Sequence, residues 1–329
     1  MNIVKRRNLG ATALFFLSGV SSIAAEVTNY LNWPNKPIRI VVVYPPGGGI
    51  DLIARHLGKK LADLWGVPVV IDNRPGAGTT LGTSFVSKSN ADGYTLLMTD
   101  VSFAIAPGLY KNLPYNAQQD FAPITLLNTV DDILVVNPEV PAKNIRELIN
   151  IARANPNALM YASAGNGTLN HLAPEMLKQL AGIHMLHVPY KGALAALNDL
   201  MAGQVQVYIG ALASVLPFIK SGRLKAIAVT GSRRSDALPD IPTVAESGVP
   251  GYEVSSWYGL FAPAGSPAKV VEIIQREIFR LSQEPEFRRN MIADGNEVVA
   301  GTSREFSSFL ERDLAKWRKA VLAAGAKVD

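Results

Sequence analysis

Five residues, Pro45-Pro46-Gly47-Gly48-Gly49, follow an apolar run and precede Asp51. Glycines let backbone N–H groups come close to a ligand and adopt conformations closed to other residues. A helix opening directly after them adds unpaired N–H groups and a partial positive charge, which suits a carboxylate or phosphate. Asp51 complicates such a site, because its carboxylate can cap the same helix and place negative charge beside it. The alternative is a tight strand-to-helix turn with no ligand. No Gly-Lys-Ser/Thr follows, so the loop is not a P-loop. Ser163-Ala164-Gly165-Asn166-Gly167-Thr168 has the same build farther along the chain. Open α/β sheets bind ligands at the carboxyl ends of their strands, so two such loops facing across a cleft argue for capture of an anion more strongly than one.

Other constellations are weaker. Gly76-Ala77-Gly78-Thr79-Thr80-Leu81-Gly82 imitates a dinucleotide fingerprint, with Asp100 about 20 residues on as the ribose-binding acid. Its glycine spacing is a variant and Asn73-Arg74-Pro75 separates it from the preceding strand, so a structural turn is the reading we adopt. His184 and His187 lie near a strand, where residues three apart point to opposite faces. With His56 and His171 they complete no zinc spacing, and no metal or cofactor is expected. Ser163, in Tyr-Ala-Ser-Ala-Gly, lacks the glycine two positions before a nucleophile-elbow serine. His171 reads as a polar residue on a helix face. Asp131-Asp132 reads as a solvated acidic pair, since neighbours share no face of a helix or strand. Tyr190-Lys191-Gly192 can offer a hydroxyl, a charge and an N–H to an acid, or be a surface turn.

The elements that must position these residues alternate. Ile38 to Tyr44 (IRIVVVY) is a continuous β-branched run, as in a strand buried on both faces. Ile53, Leu57, Leu61 and Leu64 then recur at helical spacing. Strands are expected at Val69 to Asp72, Tyr94 to Met98, Ile133 to Val136, Leu159 to Ala162, His187 to Tyr190, Val205 to Ile209 and Leu224 to Thr230. Helical segments lie between them, a pattern that argues for parallel sheets covered by helices. In the last helix Phe306, Phe309, Leu310, Leu314, Trp317 and Val321 make one apolar face.

The start of the chain bounds the compartment. Lys5, Arg6 and Arg7 precede the apolar Ala11 to Val20 and the small residues before Glu26, which is the pattern of a Sec-type signal peptide over residues 1–25. Cleavage after Ala25 is preferred to cleavage after Ala24. The run is shorter than the roughly 20 residues of a spanning helix. The net charge of +5 falls to +2 once those three positives are removed. No basic cluster then remains that fits nucleic acid. Cys is absent, so there is neither a disulfide framework nor thiolate chemistry, and an apolar content of 48% must supply the core.

Several segments together carry a resemblance. They are Trp33-Pro34-Asn35-Lys36-Pro37-Ile38-Arg39-Ile40-Val41-Val42, Tyr44-Pro45-Pro46-Gly47-Gly48-Gly49-Ile50-Asp51 and Val70-Ile71-Asp72-Asn73-Arg74-Pro75-Gly76-Ala77-Gly78. Farther on come His187-Val188-Pro189-Tyr190-Lys191-Gly192, Pro242-Thr243-Val244-Ala245-Glu246-Ser247-Gly248 and Trp257-Tyr258-Gly259-Leu260-Phe261-Ala262-Pro263. With these the chain resembles the Bug-type receptors of tripartite tricarboxylate transporters, which are periplasmic solute-binding proteins.

The resemblance implies a clam-like fold that closes on a carboxylate held largely by backbone groups and ordered water. It implies a first ligand loop with Tyr44, Pro46, Gly47, Gly48, Gly49 and Asp51, and a second with Ser163, Gly165, Asn166, Gly167, Thr168 and His171. Ser102 and the turn Tyr190, Lys191 and Gly192 would complete the pocket. Gly210 and Ala211 stand where many members carry an acid that can pair with a ligand's ammonium group, which argues against an amino-acid ligand. Ala106 replaces the Asn that many members have before the proline matching Pro107, removing hydrogen bonding near Ser102. Both departures favour an aromatic or aliphatic carboxylate over citrate.

The expectation is therefore an α/β, two-lobed periplasmic-binding-protein-like fold. Each lobe is a mainly parallel sheet flanked by helices, with the ligand cleft between lobes. Domain 1 is discontinuous (33–130 plus 232–329) and domain 2 covers 131–231; two consecutive domains are the alternative. The expected function is a monomeric periplasmic receptor, not an enzyme, delivering a small organic acid to membrane permease subunits or a sensor kinase. The alternatives are a periplasmic enzyme acting on such an acid and an exported dinucleotide-binding oxidoreductase.

Overall fold

The computed structural model describes residues 33–156, 158–293 and 296–324. The expected signal peptide lies outside the described residues.

Strand β1 (Ile38–Val42) is buried at Ile38, Ile40, Val41 and Val42 because parallel neighbours flank it on both sides, β2 (Val69–Asn73) and β3 (Thr95–Asp100). Helix α1 (Gly49–Trp65) turns Ile50, Ile53, Ala54, Leu57 and Leu61 inward at helical spacing. It ends at Gly66, whose left-handed backbone (φ 67°) lets its N–H reach Ala62 O. Helices α2 (Thr80–Ser87) and α3 (Ser102–Leu109) follow β2 and β3, and then comes β4 (Phe121–Val130).

The second half of the alternation starts at once with β5 (Asp132–Val136) and α4 (Ile145–Ala154). Next are β6 (Met160–Ser163), α5 (Leu169–Ala181), β7 (Leu186–Pro189) and α6 (Ala193–Met201). Strand β8 (Val207–Ala211), α7 (Leu212–Lys220) and β9 (Lys225–Val229) complete it. The chain then returns through β10 (Ser256–Pro263), α8 (Ala268–Ser282), α9 (Pro285–Ala293), β11 (Asn296–Val298) and α10 (Ser303–Ala324).

Two sheets result, ordered β11-β4-β10-β3-β1-β2 and β7-β6-β8-β5-β9. Helices flank both, so the two-lobed α/β expectation holds. The sheets are mixed, however, where mainly parallel ones were expected. β10 runs antiparallel to β3 and β4, β11 antiparallel to β4, and β5 antiparallel to β8 and β9. The reason is connectivity. A strand that enters a lobe from its neighbour starts at the lobe boundary and runs away from it, whereas β3 and β8 run towards it. β5 and β10 are those entering strands.

The crossings are stitched together. Thr230 N donates to Asp132 O at 2.9 Å, Thr230 Oγ1 donates to Val254 O at 2.7 Å, and Val254 N donates to Thr230 O. One apolar core includes residues of both sheets, among them Val41, Leu97 and Phe261 with Leu134, Val136 and Ile209. The apolar face of α10 closes it, with Phe306, Leu310, Trp317 and Val321 buried.

Candidate functional site

The strand ends and helix starts of both sheets meet around a cavity of about 90 Å³. Four helix N-termini border it: α1 through Gly48, Gly49 and Ile50, α5 through Leu169 and Asn170, α6 through Gly192, Ala193 and Leu194, and α7 through Ala211 and Ser214. None of the four is capped by the side chain of its N-cap residue. First-turn amides have no partner within a helix, so such ends collect unpaired N–H groups and partial positive charge. The first loop is already in contact with the start of α6. A Cβ at Gly47 would lie 3.0 Å from Leu194 Cδ1, and one at Gly192 would lie 3.0 Å from Pro45 Cγ.

Asp51, expected in the first ligand loop, does not line this cavity. It is buried, and its oxygens accept from Gly47 N and Arg55 Nε (both 2.9 Å) and from Asn73 Nδ2 (2.9 Å). Burial pushes its pKa up, but the bonds from Arg55, Gly47 and Asn73 outweigh it and the net shift is downward. Asp51 therefore braces the loop as an ionised group.

The strand ends give the cavity its polar side. Tyr44 Oη donates to Asp100 Oδ2 at 2.9 Å and lies 3.0 Å from Ser102 Oγ, while Ser102 N donates to Asp100 Oδ1 at 3.0 Å. Burial pushes the Asp100 pKa up. Asp132, Tyr208, Ser256 and Tyr258 also line the wall. Asp132 corrects the expectation of a solvated acidic pair: it is 2% exposed. Its pKa is driven well up, first by burial and then by Asp100.

The second loop borders an outer cavity of about 610 Å³ through Gly165, Asn166, Thr168, Tyr190, Lys191 and Gly192. The Gly76–Thr79 turn lines the same space. A Cβ at Gly78 would collide with the Tyr110 hydroxyl and the Asn166 carbonyl, so this dinucleotide look-alike packs against the Ser163–Thr168 loop. Behind the loop, Ser163 Oγ lies 2.7 Å from His187 Nε2, and Gly167 N donates to His171 Nδ1 at 3.2 Å. The His171 and His187 rings stack at 4.2 Å, and the Tyr161 ring stacks on His187 at 4.8 Å. Burial, then His171, pushes the His187 pKa down to about 4. Ser163 is fully buried, so this serine–histidine contact supports the loop.

Of the residues expected to bind ligand, Tyr44, Pro46, Gly48, Gly49, Lys191, Gly192 and Ala211 line the inner cavity, and Gly165, Asn166, Thr168 and Tyr190 the outer one. Gly47, Asp51, Ser102, Ser163, Gly167, His171 and Gly210 line neither and act from behind. At Gly210 a Cβ would sit 2.6 Å from Asn170 Nδ2 and from the Tyr208 ring. Asp132, Asn170, Leu194, Tyr208, Ser214 and Tyr258 were missed. The one sequence signal for Asp132 was its place directly before the strand-like Ile133 to Val136. Among the described residues no cluster of His, Cys, Asp or Glu is arranged to hold a metal ion.

Residues 53–325 match the family model described as "Tripartite tricarboxylate transporter family receptor". The chain belongs to this receptor family. Solved structures agree. The R. palustris protein Rpa4515 with adipate superposes with a TM-score of 0.87 at 31% identity, covering 90% of this chain and 100% of that one. The periplasmic binding protein BugD gives 0.85 at 34% identity, with 90% and 100% covered. MatC from Rhodopseudomonas palustris with bound malate gives 0.84 at 28% identity, with 88% and 100% covered. The chain is thus a receptor of the tripartite tricarboxylate family and not an enzyme. Among its described residues no helix is long and apolar enough to cross a membrane.

Proposed function

We propose that this receptor captures a small carboxylate in the periplasm by closure of its two lobes and delivers it to membrane permease subunits or to a sensor kinase. The observation that carries the reading is the convergence of four helix N-termini, uncapped by their N-cap side chains, on one small cavity. Backbone amides placed in this way stabilise an anion without a buried lysine or arginine. Adipate in one solved relative and malate in another agree with an acid of a few carbons. We assign the lobes to 33–130 with 232–329 and to 131–231, and the hinge to the Thr230, Asp132 and Val254 hydrogen bonds. Ligand that binds the closed form better than the open one shifts the population towards closure.

Titration calorimetry with mono-, di- and tricarboxylates and their uncharged amides tests the reading. One or more acids should bind while the matching amides do not. Equal binding of acid and amide, or binding of no acid, overturns it.

A further inference from the structure

Asp132 is the first residue of β5, immediately after the chain crosses from one sheet to the other. Its backbone is held tightly. It pairs with Ala211 of β8, and its carbonyl accepts from Thr230 N at 2.9 Å. The side chain is 2% exposed and lines the inner cavity, and among the described residues Oδ2 has no hydrogen-bond partner. A hydrogen bond from the Ser256 amide lowers its pKa, against burial, Asp100 and Asp131, which raise it.

The cavity holds a second acid, Asp100, but that one is satisfied: Tyr44 donates to one oxygen and the Ser102 amide to the other. Among the described residues no ion pair involves either acid. A buried carboxyl with an open oxygen is costly unless something arrives to pair with it.

We infer that Asp132 takes a protonated amine of the ligand, so that the receptor's cargo is an amino-carboxylate. The helix starts supply donors for the carboxylate end, and Asp132 supplies the acceptor for the ammonium end. A plain dicarboxylate would put its second anion against Asp132 and Asp100, where like charges repel. A hydroxyl can donate one hydrogen bond to Oδ2 but brings no positive charge to a wall with two acids. This reverses the expectation drawn from Gly210-Ala211 that an amino-acid ligand is disfavoured: the acid comes from the neighbouring strand.

The inference rests on the carboxylate reading above, and matched pairs separate the two. The purified protein is titrated with succinate and aspartate, glutarate and glutamate, adipate and 2-aminoadipate, and with malate as the hydroxylated control. In at least one pair the aminated acid should bind about tenfold tighter or more than its plain partner and than malate. The Asp132→Asn protein should lose that preference, through weaker binding of the aminated acid and binding of the plain acid that is as tight as in the wild type or tighter. The wild-type comparison needs no variant, and the thermal unfolding of Asp132→Asn shows that it folds. Plain acids or malate binding as tightly as aminated ones, or a preference that survives Asp132→Asn, overturns the role of Asp132 and leaves the carboxylate reading standing. Binding of no acid overturns both.

Discussion

Pro45 and Gly192 meet across the cleft so closely that a Cβ on Gly192 would stand 3.0 Å from Pro45 Cγ. Gly192 is also the residue that opens α6, with φ at +107°. Gly192→Ala should therefore weaken ligand binding about tenfold or more by holding the loops apart, an overpacking cost of about 1–3 kcal/mol. Calorimetry reads the affinity, and small-angle scattering with saturating ligand should report a larger radius of gyration than in the wild type. Backbone strain alone would also weaken binding. The double variant Gly192→Ala with Pro45→Ala distinguishes the two, because removing the ring restores affinity only if the contact is the cause.

Gly48 offers the opposite case. Its φ of −81° and ψ of 166° suit any residue, and a Cβ there would meet nothing within 4 Å. Gly48→Leu should leave the unfolding temperature of the ligand-free protein unchanged within about 0.5 kcal/mol of stability. It should abolish stabilisation by ligand, because the side chain grows into the inner cavity. Thermal unfolding with and without the best-binding acid checks both halves. Unchanged ligand stabilisation removes this loop from the site.

The contrast between these glycines and Asp132 shows which parts of the site were legible in the sequence. A β-branched run broken by Pro-Pro-Gly-Gly-Gly and followed by a helical period is a local pattern, and β1, the first loop and α1 appear where it puts them. The apolar face of α10 is local in the same sense. β10 is not: its Ser256–Pro263 segment becomes a central strand only by inserting between β3 and β4, more than a hundred residues earlier. Nothing short-range announces such a pairing, and the mixed character of both sheets depends on it. Asp131-Asp132 failed differently. The rule that adjacent residues face opposite ways was applied, but one of those faces turned out to be a cavity and not water. That depends on where the chain crosses between lobes, which spacing alone does not encode.

Acid should loosen the Ser163–Thr168 loop. Burial holds His187 neutral, with its pKa pushed down to about 4 from an ordinary 6.5. A depressed histidine pKa means that the unfolded chain binds the extra proton first. Its contribution to stability is complete above about pH 6.5 and is lost as the pH falls towards 4. The part of it lost between pH 7 and pH 5 is about 2 kcal/mol. Asp51 and Glu175, whose pKa values are lowered in the fold, lose their contributions in the same direction but start at lower pH. The raised carboxyls of Asp100 and Asp132 act in the other direction, so the test is a difference: from pH 7 to pH 5, urea unfolding should show the wild type losing more stability, or gaining less, than His187→Phe, which keeps a ring between Tyr161 and His171.

Asp132 should have the opposite signature in the ligand-free protein. Its pKa is raised by burial first and by Asp100 second. A raised carboxyl pKa means that the unfolded chain loses its proton first, so stability is complete below the ordinary carboxylate value and falls as the pH rises through the folded one. At pH 7 the empty receptor carries this cost together with an unpartnered Oδ2. Asp132→Asn keeps the shape and removes the acid, so it should raise stability at pH 7 by about 1–3 kcal/mol. The gain should shrink when the same urea titration is run at pH 4. A variant that is more stable when empty and less discriminating when filled marks a buried group kept for its ligand. A variant less stable at pH 7 would instead make Asp132 a structural member of the crossing, held there for its contact with the Ser256 amide.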